Sequence, residues 1–278
     1  MKTVVLAFIL TATATLALAQ TVAKQYFKDT TKYNFLVIDS RYQSQFAFWG
    51  RDYRQQLPLL ATSIMYYTHS GVWASASNFN FFNTSVPAQL GLTLGYFKEV
   101  TSKMDWHLSY SQFYVMSQRI PVSYQTQGYF QTTIGYDWNI LFSSLQVQTL
   151  INQHSDLFFT TYHSRYFEFN ESLWKKVKVS FEPKISFTFG THNFEYANGL
   201  VIAPGGGGVI SQTDNTNLGA KIEPLNFDFS FPLKFALNYF SIEPSWRYTV
   251  PFNANSAYAS GGLSIWAVNV NYYIPFKR

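Results

Sequence analysis

His107 and Ser109 are the first residues whose types and spacing could perform a reaction. An imidazole two positions from a hydroxyl, on one face of a strand, can act as the base that activates a serine nucleophile. Three features oppose this interpretation. The alternation places the pair on an inward face, no carboxylate partner is evident, and the strand direction puts it near a short turn. We therefore expect no catalytic step and no enzyme.

Charged side chains at alternating positions form a second group, in the later half of the chain. Alternate residues share one face of a strand, and apolar residues occupy the positions between them, so these charges are expected on one inward face. The face is then either a net-basic wall that attracts anions or an ion-pair network that fills a closed core. Both alternatives remain open for the candidate residues, which are His163, Arg165, Lys176, Lys178, Glu182, Lys184, Asp228, Lys234, Glu243 and Arg247.

A tight turn at Asn238 would bring two pairs of these charges together. Folding the hairpin there places Lys234 close to Glu243 and sets Asp228 diagonal to Arg247, because directly opposite and diagonal residues of paired strands are neighbours.

Other classes of site find no support in the sequence. The chain has no cysteine, which excludes disulfides and thiolate metal sites, and His69, His154 and His192 are scattered without metal-ligand spacing. The glycines at 205–208 lack the context of a phosphate loop, so we predict a flexible loop at 191–220 that acts as a lid or plug. The net charge of +5 is mild and no basic run is present. We expect no cofactor, no metal and no nucleic acid.

The strand pattern that must position these residues is clearest at the C-terminus. From Trp266 onward, large apolar residues alternate with smaller or polar ones, which predicts a strand with one apolar face. An unpaired edge invites aggregation, and closing the sheet into a barrel removes it, so this strand is expected to pair with the first. The outward residues are Trp266, Val268, Val270, Tyr272, Ile274 and Phe276.

About twelve strands follow from the same alternation. In the eighth strand, Phe158, Tyr162 and Tyr166 are expected to face outward. The turns after even-numbered strands are short and most others are longer. Glu-Pro recurs at 182–183, 223–224 and 243–244, where we expect local bulges. The predicted strands span about 40–49, 59–69, 72–82, 88–98, 104–115, 128–138, 140–151, 157–168, 175–190, 221–236, 239–251 and 261–278.

Composition decides between a membrane barrel and a soluble sheet. Aromatic residues make up 19% of the chain and charged residues only 13%, against about 25% charged in soluble domains. The mean hydropathy is nevertheless only −0.07. A soluble sandwich would expose its oily face to water, whereas lipid accommodates such a face. The sequence therefore predicts an all-β transmembrane antiparallel up-and-down barrel, in which lipid-facing charges would cost about 2–4 kcal/mol each.

The N-terminus has the features of a secretory signal at residues 1–19. Lys2 precedes an apolar stretch, and Ala17-Leu18-Ala19 matches a cleavage site after Ala19. No later stretch reaches about 18 apolar residues, so no membrane helix is expected. We predict a periplasmic lead-in at 20–38 and the barrel at 39–278.

On these patterns the whole mature chain resembles the small porin-like outer-membrane β-barrel proteins of Gram-negative bacteria. The ending Tyr272-x-Ile274-x-Phe276 is similar to the terminal signal read by the barrel-insertion machinery, although Lys277 and Arg278 follow where the family commonly stops. The resemblance implies a location in the outer membrane, among its lipids and lipopolysaccharide. His107-x-Ser109 also looks like the His-x-Ser of lipid A deacylases.

Three functions remain open at this point. The leading expectation is a porin-like channel for small polar or anionic solutes. The first alternative is a closed structural or accessory subunit of an envelope protein complex, and the second is a lipid-modifying outer-membrane enzyme. In each case, aromatic girdles are expected at the membrane interfaces. The girdle residues would be Trp106, Trp138, Trp174, Trp246 and Tyr272.

Overall fold

The computed structural model describes residues 33–52, 56–82, 88–115, 126–151, 155–169, 177–193, 221–254 and 259–277. Its regular elements in these ranges are strands. The predicted signal peptide, His154, Trp174, Lys176 and residues 194–220 lie outside the described residues. The strands are β1 (Tyr33–Gln43), β2 (Leu59–Tyr67), β3 (Val72–Phe81), β4 (Gln89–Glu99), β5 (Met104–Val115), β6 (Thr126–Asp137), β7 (Phe142–Ile151), β8 (Asp156–Ser164), β9 (Phe167–Phe169), β10 (Lys178–Phe181), β11 (Lys184–Gly190), β12 (Glu223–Leu237), β13 (Phe240–Pro251) and β14 (Leu263–Lys277).

The last strand closes the sheet onto the first, as the sequence predicted. β14 pairs antiparallel with β1, from Tyr33 opposite Lys277 to Gln43 opposite Ala267. On β14 the predicted stripe faces outward, with Trp266 63% exposed and Tyr272 46% exposed. The closing ladder leaves no free edge at the point where the two ends of the sheet meet.

The fourteen segments form a closed antiparallel barrel of twelve strands, which confirms the predicted fold class. β8 with β9, and β10 with β11, each make one interrupted strand. β11 pairs with both β8 and β12, and β10 pairs with β12. The second interruption falls at Glu182-Pro183, because proline has no N–H to donate to the ladder. A register shift between Thr188 and Phe189 likewise lies opposite Pro224.

Short and long connections separate to opposite ends of the barrel. The short turns at 68–71, 100–103, 138–141 and 238–239 lie at one end, here called the turn end. The other end, here called the loop end, holds the strand ends that precede the remaining connections, most of which are longer: Gln43, Phe81, Val115, Ile151, Gly190 and Pro251. The tight turn predicted at 170–174, between the eighth and ninth strands, lies outside the described residues. In bacterial outer-membrane barrels the short turns face the periplasm.

The first strand begins earlier than predicted. β1 starts at Tyr33, inside the segment assigned to the lead-in, and ends at Gln43. Phe46 and Phe48 belong to no strand, yet they are 1% and 0% exposed. Their alternating spacing resembled a strand, but it arises from a loop whose aromatic side chains pack inward. Residues 34–38, which the sequence left open as an extension of the first strand, thus belong to β1.

The two faces of β8 are the reverse of the prediction. Phe158 is fully buried, and Tyr162 lies opposite Ser186 on the inward face of β11. An alternating pattern separates two faces but does not say which one meets lipid, and here the aromatic rings fill the interior. The expected inward and outward residues of β5 are confirmed, with His107 and Ser109 buried.

The outer surface of the barrel is mostly apolar. Within the described ranges no helix is long and apolar enough to span a membrane. Trp106 and Trp246 lie at outward positions, and Trp138 is exposed at a short turn. Their placement in interfacial girdles stays a prediction. Outward apolar residues include Ile38, Ile64, Leu94, Ile134, Leu145, Phe187 and Phe189.

Gly95 is predicted to be required for close packing of the interior. A Cβ at this position would collide with the indole of Trp73, which is 1% exposed. We expect Gly95→Val to lower the free energy of unfolding by about 1–3 kcal/mol, as overpacked cores do. Urea titration of the protein refolded in lipid vesicles measures this change.

The neighbouring substitution Leu94→Val supplies the matched control, because Leu94 is 61% exposed on the outward face. Equal stability losses in the two variants would contradict the packing argument.

Candidate functional site

The inward charges of the later strands form one connected wall. Ser230 lies opposite Arg247 and Asp228 lies opposite Thr249, so Asp228 and Arg247 are diagonal neighbours as predicted. Lys234 interacts electrostatically with Glu243 across the same hairpin. Both of these side chains are only 6% exposed. The hairpin therefore presents two oppositely charged pairs to the interior.

Glu182 and Lys184 extend this wall towards β8. Lys184 Nζ lies 3.5 Å from a Glu182 carboxylate oxygen, and Ser164 Oγ donates to the other oxygen at 2.8 Å. Lys184 is also opposite Ser230 on β12, and Ser230 is opposite Arg247 on β13. Lys184 and Arg247 therefore lie on either side of Ser230. Glu182 and Lys184 both act electrostatically on Lys234.

Asp39 and Arg41 complete the wall and were missed by the sequence analysis. Asp39 hydrogen-bonds to Asn269 and Ser63, and it interacts electrostatically with Arg41 and Glu243. The predicted first strand began at about residue 40 and so left out Asp39; Arg41 lay within that strand but was not included among the inward charges. The spacing of Asp39, Arg41 and Gln43, polar at every second position, was the signal that could have revealed them.

The completed wall has balanced charge, so of the two alternatives left open by the sequence it is nearer to the ion-pair network than to the net-basic wall. Each charged side chain of the wall has an opposite charge near it, and like charges also meet, as Arg41 does with Arg247. The network contains as many acidic as basic groups: Arg41, Lys184, Lys234 and Arg247 against Asp39, Glu182, Asp228 and Glu243.

Three predicted residues lie away from this wall. His163 lies opposite Ile185 on the outward face of the barrel, where Ser143 Oγ is 2.9 Å from its Nδ1. This correction follows from the reversed faces of β8. Arg165 is exposed at the turn end and donates to the carbonyl of Asn139. Lys178 has an inward register opposite Ala236, but it is exposed at the start of β10.

The opposite part of the interior carries glutamines instead of charges. Gln131 on β6 lies directly opposite Gln148 on β7, and Gln146 lies opposite Thr133. Gln127 and Tyr129 continue the same face of β6. We call Gln127, Gln131, Gln146 and Gln148 the glutamine patch; all four are at most 5% exposed. The spacing of these glutamines, two positions apart at 146 and 148 and four apart at 127 and 131, puts each pair on one face of a strand and was visible in the sequence but was not used.

Many of these inward polar atoms have no hydrogen-bond partner within the described protein. These unpartnered atoms occur in both the charged wall and the glutamine patch. Buried polar groups in folded proteins are almost always partnered. The unpartnered atoms include Asp39 Oδ2, Arg41 Nε, both amide atoms of Gln89 and Gln148, the Oε1 atoms of Gln127, Gln131 and Gln146, Tyr129 Oη, Asp228 Oδ1, Arg247 Nε and Asn269 Oδ1.

The residues that follow β1 lie over the loop end of the interior. We call residues 44–52 the mouth loop. Phe48 and Trp49 contact the inward ring of Phe158 on β8, with ring centroids 6.0 and 5.4 Å away. Trp49 and Gly50 have positive φ angles of 46° and 76°, which reverse the chain at this point. The loop thus reaches from β1 across the mouth to β8.

Arg51 fastens the mouth loop to the far wall. Its side chain is fully buried and donates to three carbonyls, those of Trp49, Leu225 and Phe252. Leu225 lies on β12 and Phe252 directly follows β13. Charged side chains are almost never buried without such partners. Arg51 therefore attaches the loop to β12 and to the residue that follows β13.

The His107–Ser109 pair does not form a visible catalytic relay. His107 faces inward and stacks on Trp73, with ring centroids 5.6 Å apart and planes at 15°. Its Nε2 has no hydrogen-bond partner among the described residues. Within the same ranges, no cluster of histidine and carboxylate side chains could hold a metal ion.

Known structures resemble this chain in fold. The NanC porin matches with a TM-score of 0.49 and 9% identity, covering 85% of this chain and 98% of that one. The KdgM porin in complex with disordered oligogalacturonate matches at 0.46 and 10%, covering 85% and 98%. LpxR from Salmonella typhimurium matches at 0.51 and 8%, covering 86% and 99%. No protein-family model and no curated protein matches. The likeness concerns the fold alone, a closed antiparallel β-barrel of twelve strands.

The Lys234–Glu243 interaction is expected to be energetically coupled. Removing one partner of a buried pair leaves the other charge uncompensated, at a cost of about 3 kcal/mol. We expect Glu243→Gln to lower the free energy of unfolding by about 3 kcal/mol. The double variant Glu243→Gln and Lys234→Met should recover most of that loss. Urea unfolding in lipid vesicles measures both.

Lys103→Gln, at an exposed turn, is the control for loss of one positive charge. Strictly additive effects of the two buried substitutions would show that the pair is not coupled.

Proposed function

We propose that this protein is a narrow channel for small polar solutes across the outer membrane, closed at rest by its mouth loop. Its surroundings would be outer-membrane lipid and lipopolysaccharide, with the short turns on the periplasmic side. The proposal concerns passage and involves no catalytic step.

The unpartnered polar atoms of the interior are the observation that supports a channel. Leaving one buried donor or acceptor unsatisfied costs about 1–3 kcal/mol. Gln89 and Gln148 each leave both amide atoms unpartnered, and Asp228 and Arg247 leave one atom each. A permanently dry core would bear this penalty at every such group. Water or a polar solute in the interior would remove it, as it does along the polar lumen of a porin.

The mouth loop supports a closed resting state. It crosses the loop end and covers Phe158 with two aromatic rings. Its single fully buried charge, Arg51, is bonded to carbonyls of separate segments, so these bonds can break together without dismantling a strand. Movement of this loop would therefore open the interior while the barrel stays intact.

The closed accessory barrel remains the second candidate, favoured by one observation. Inward groups such as Ser241, Gln148 and Thr160 are 0% exposed, which also describes a filled core. A barrel that serves only as a subunit of an envelope complex needs no path through its interior. The two functions differ in whether opening the mouth loop creates a conducting path.

Weakening the attachment of the mouth loop should increase conductance. We expect Arg51→Ala to raise the open time of single channels in a planar bilayer at least tenfold, because the loop loses its bonds to the far wall. The double variant Phe48→Ala and Trp49→Ala should act in the same direction. Lys98→Ala, an exposed charge at the turn end, is the control.

If neither loop variant shows channel openings while gel mobility and circular dichroism show a folded barrel, the channel is contradicted and the closed accessory barrel is supported.

The open channel should discriminate weakly between anions and cations. The charged wall is balanced, so a salt gradient is expected to give a reversal potential near zero in the Arg51→Ala background. Adding Arg247→Glu removes a positive charge and introduces a negative one, which should move the potential in the cation-selective direction. Strong anion preference before that substitution would restore the net-basic interpretation from the sequence.

A further inference from the structure

We infer that the glutamine patch is a binding site for an uncharged, polyhydroxylated solute, such as a sugar segment, which displaces Phe48 and Trp49 from Phe158. The inference rests on the proposed function and specifies the solute class. The site would comprise Gln127, Gln131, Gln146, Gln148, Tyr129 and Phe158.

The register of three strands brings these residues together. Gln131 is directly opposite Gln148, and Gln148 is in turn directly opposite Phe158. Directly paired residues have Cβ atoms about 5 Å apart, and neighbours along one face of a strand are about 7 Å apart. The amides therefore form a two-dimensional array beside an aromatic ring. All lie in the half of the barrel nearer the loop end.

The unpartnered amide atoms indicate the chemistry of the ligand. Gln148 leaves both its donor and its acceptor unpartnered, and Gln131 and Gln146 each leave an acceptor. Each amide offers donors and an acceptor without net charge, whichever way the group is turned. Hydroxyl groups both donate and accept, so a polyol can satisfy such an array. A carboxylate group can only accept hydrogen bonds, so placed here it would leave the carbonyl oxygens unsatisfied.

The aromatic residues beside the patch can pack against the apolar C–H faces of a sugar. Tyr129 lies between Gln127 and Gln131 on the inward face of β6 and is 1% exposed. Phe158 presents a ring that the mouth loop covers at rest. A sugar has apolar C–H faces as well as hydroxyl edges, and these faces can pack on aromatic rings. Amide edges and ring faces thus match both kinds of surface.

The resting contacts of the mouth loop explain how the site is closed. Phe48 packs edge-on against Phe158, with an interplanar angle of 84°, and Trp49 packs at 49°. These rings occupy the face of Phe158 that the solute would use. The glutamine atoms are buried in the same state. Solute and mouth loop therefore compete for one place, and loosening the loop should strengthen binding.

Calorimetric titration with maltotriose tests the site. The full barrel carrying Arg51→Ala, refolded in lipid nanodiscs, is expected to bind this neutral trisaccharide saturably and at least tenfold more tightly than the barrel with an intact mouth loop. Adding Gln131→Leu and Gln148→Leu should weaken binding at least tenfold. Gln146→Leu alone gives a second, milder variant if that double substitution prevents folding.

Gln112→Leu is the matched control, because Gln112 lies on the outward face of β5, where its Oε1 accepts from Tyr110. It should leave binding unchanged, and gluconate, a charged polyol, should bind at least tenfold more weakly than maltotriose.

The outcomes separate this inference from the proposed function. A variant that conducts but binds no maltotriose, or binds it equally well after Gln131→Leu and Gln148→Leu, overturns the glutamine site and leaves the channel standing. Patch-dependent binding without conductance supports the site and overturns the channel.

Discussion

The ladder between β1 and β14 is the contact on which the rest of the barrel depends. Eleven consecutive residue pairs, from Tyr33–Lys277 to Gln43–Ala267, join the two ends of the sheet. Because side chains alternate along every strand, this single register assigns each residue of both strands to the lipid face or to the interior. It sends Trp266 and Tyr272 outward, and it brings Asp39 and Arg41 inward beside Asn269. Slipping it by one residue would expose those charges to lipid.

Closure creates a second constraint, because the interior must hold polar groups. The charged wall balances its own charges, as in Lys234 with Glu243, and so resembles a core. The glutamine patch leaves amide atoms without partners and so resembles a surface in contact with water or solute. The mouth loop allows the same interior to be closed at rest and wet when open. It shuts the interior with Phe48 and Trp49 at rest, and its attachment through Arg51 consists of hydrogen bonds that water can replace when the loop moves.

The sequence predicted the architecture more completely than the site. Alternation and connection lengths yielded twelve strands, the closing pair and the inward hairpin of Lys234 and Glu243. They failed at β8, where the period is correct but Phe158 faces the interior, because an aromatic ring suits both lipid and a packed core. They also failed at Phe46 and Phe48, whose spacing mimics a strand. Asp39, Arg51 and the glutamine patch were missed because their meaning depends on partners distant in the sequence, such as Leu225 for Arg51.

The most direct test is the accessibility of the interior from outside. The chain has no cysteine, so Gln131→Cys introduces a unique thiol on the inward face of β6. A small, membrane-impermeant thiol reagent added to intact cells should modify it slowly, and at least tenfold faster when Arg51→Ala loosens the mouth loop. Ser260→Cys, exposed at the loop end, reports that the reagent reaches the barrel. Labelling at 260 with none at 131 in either background would contradict a wet interior closed by the mouth loop.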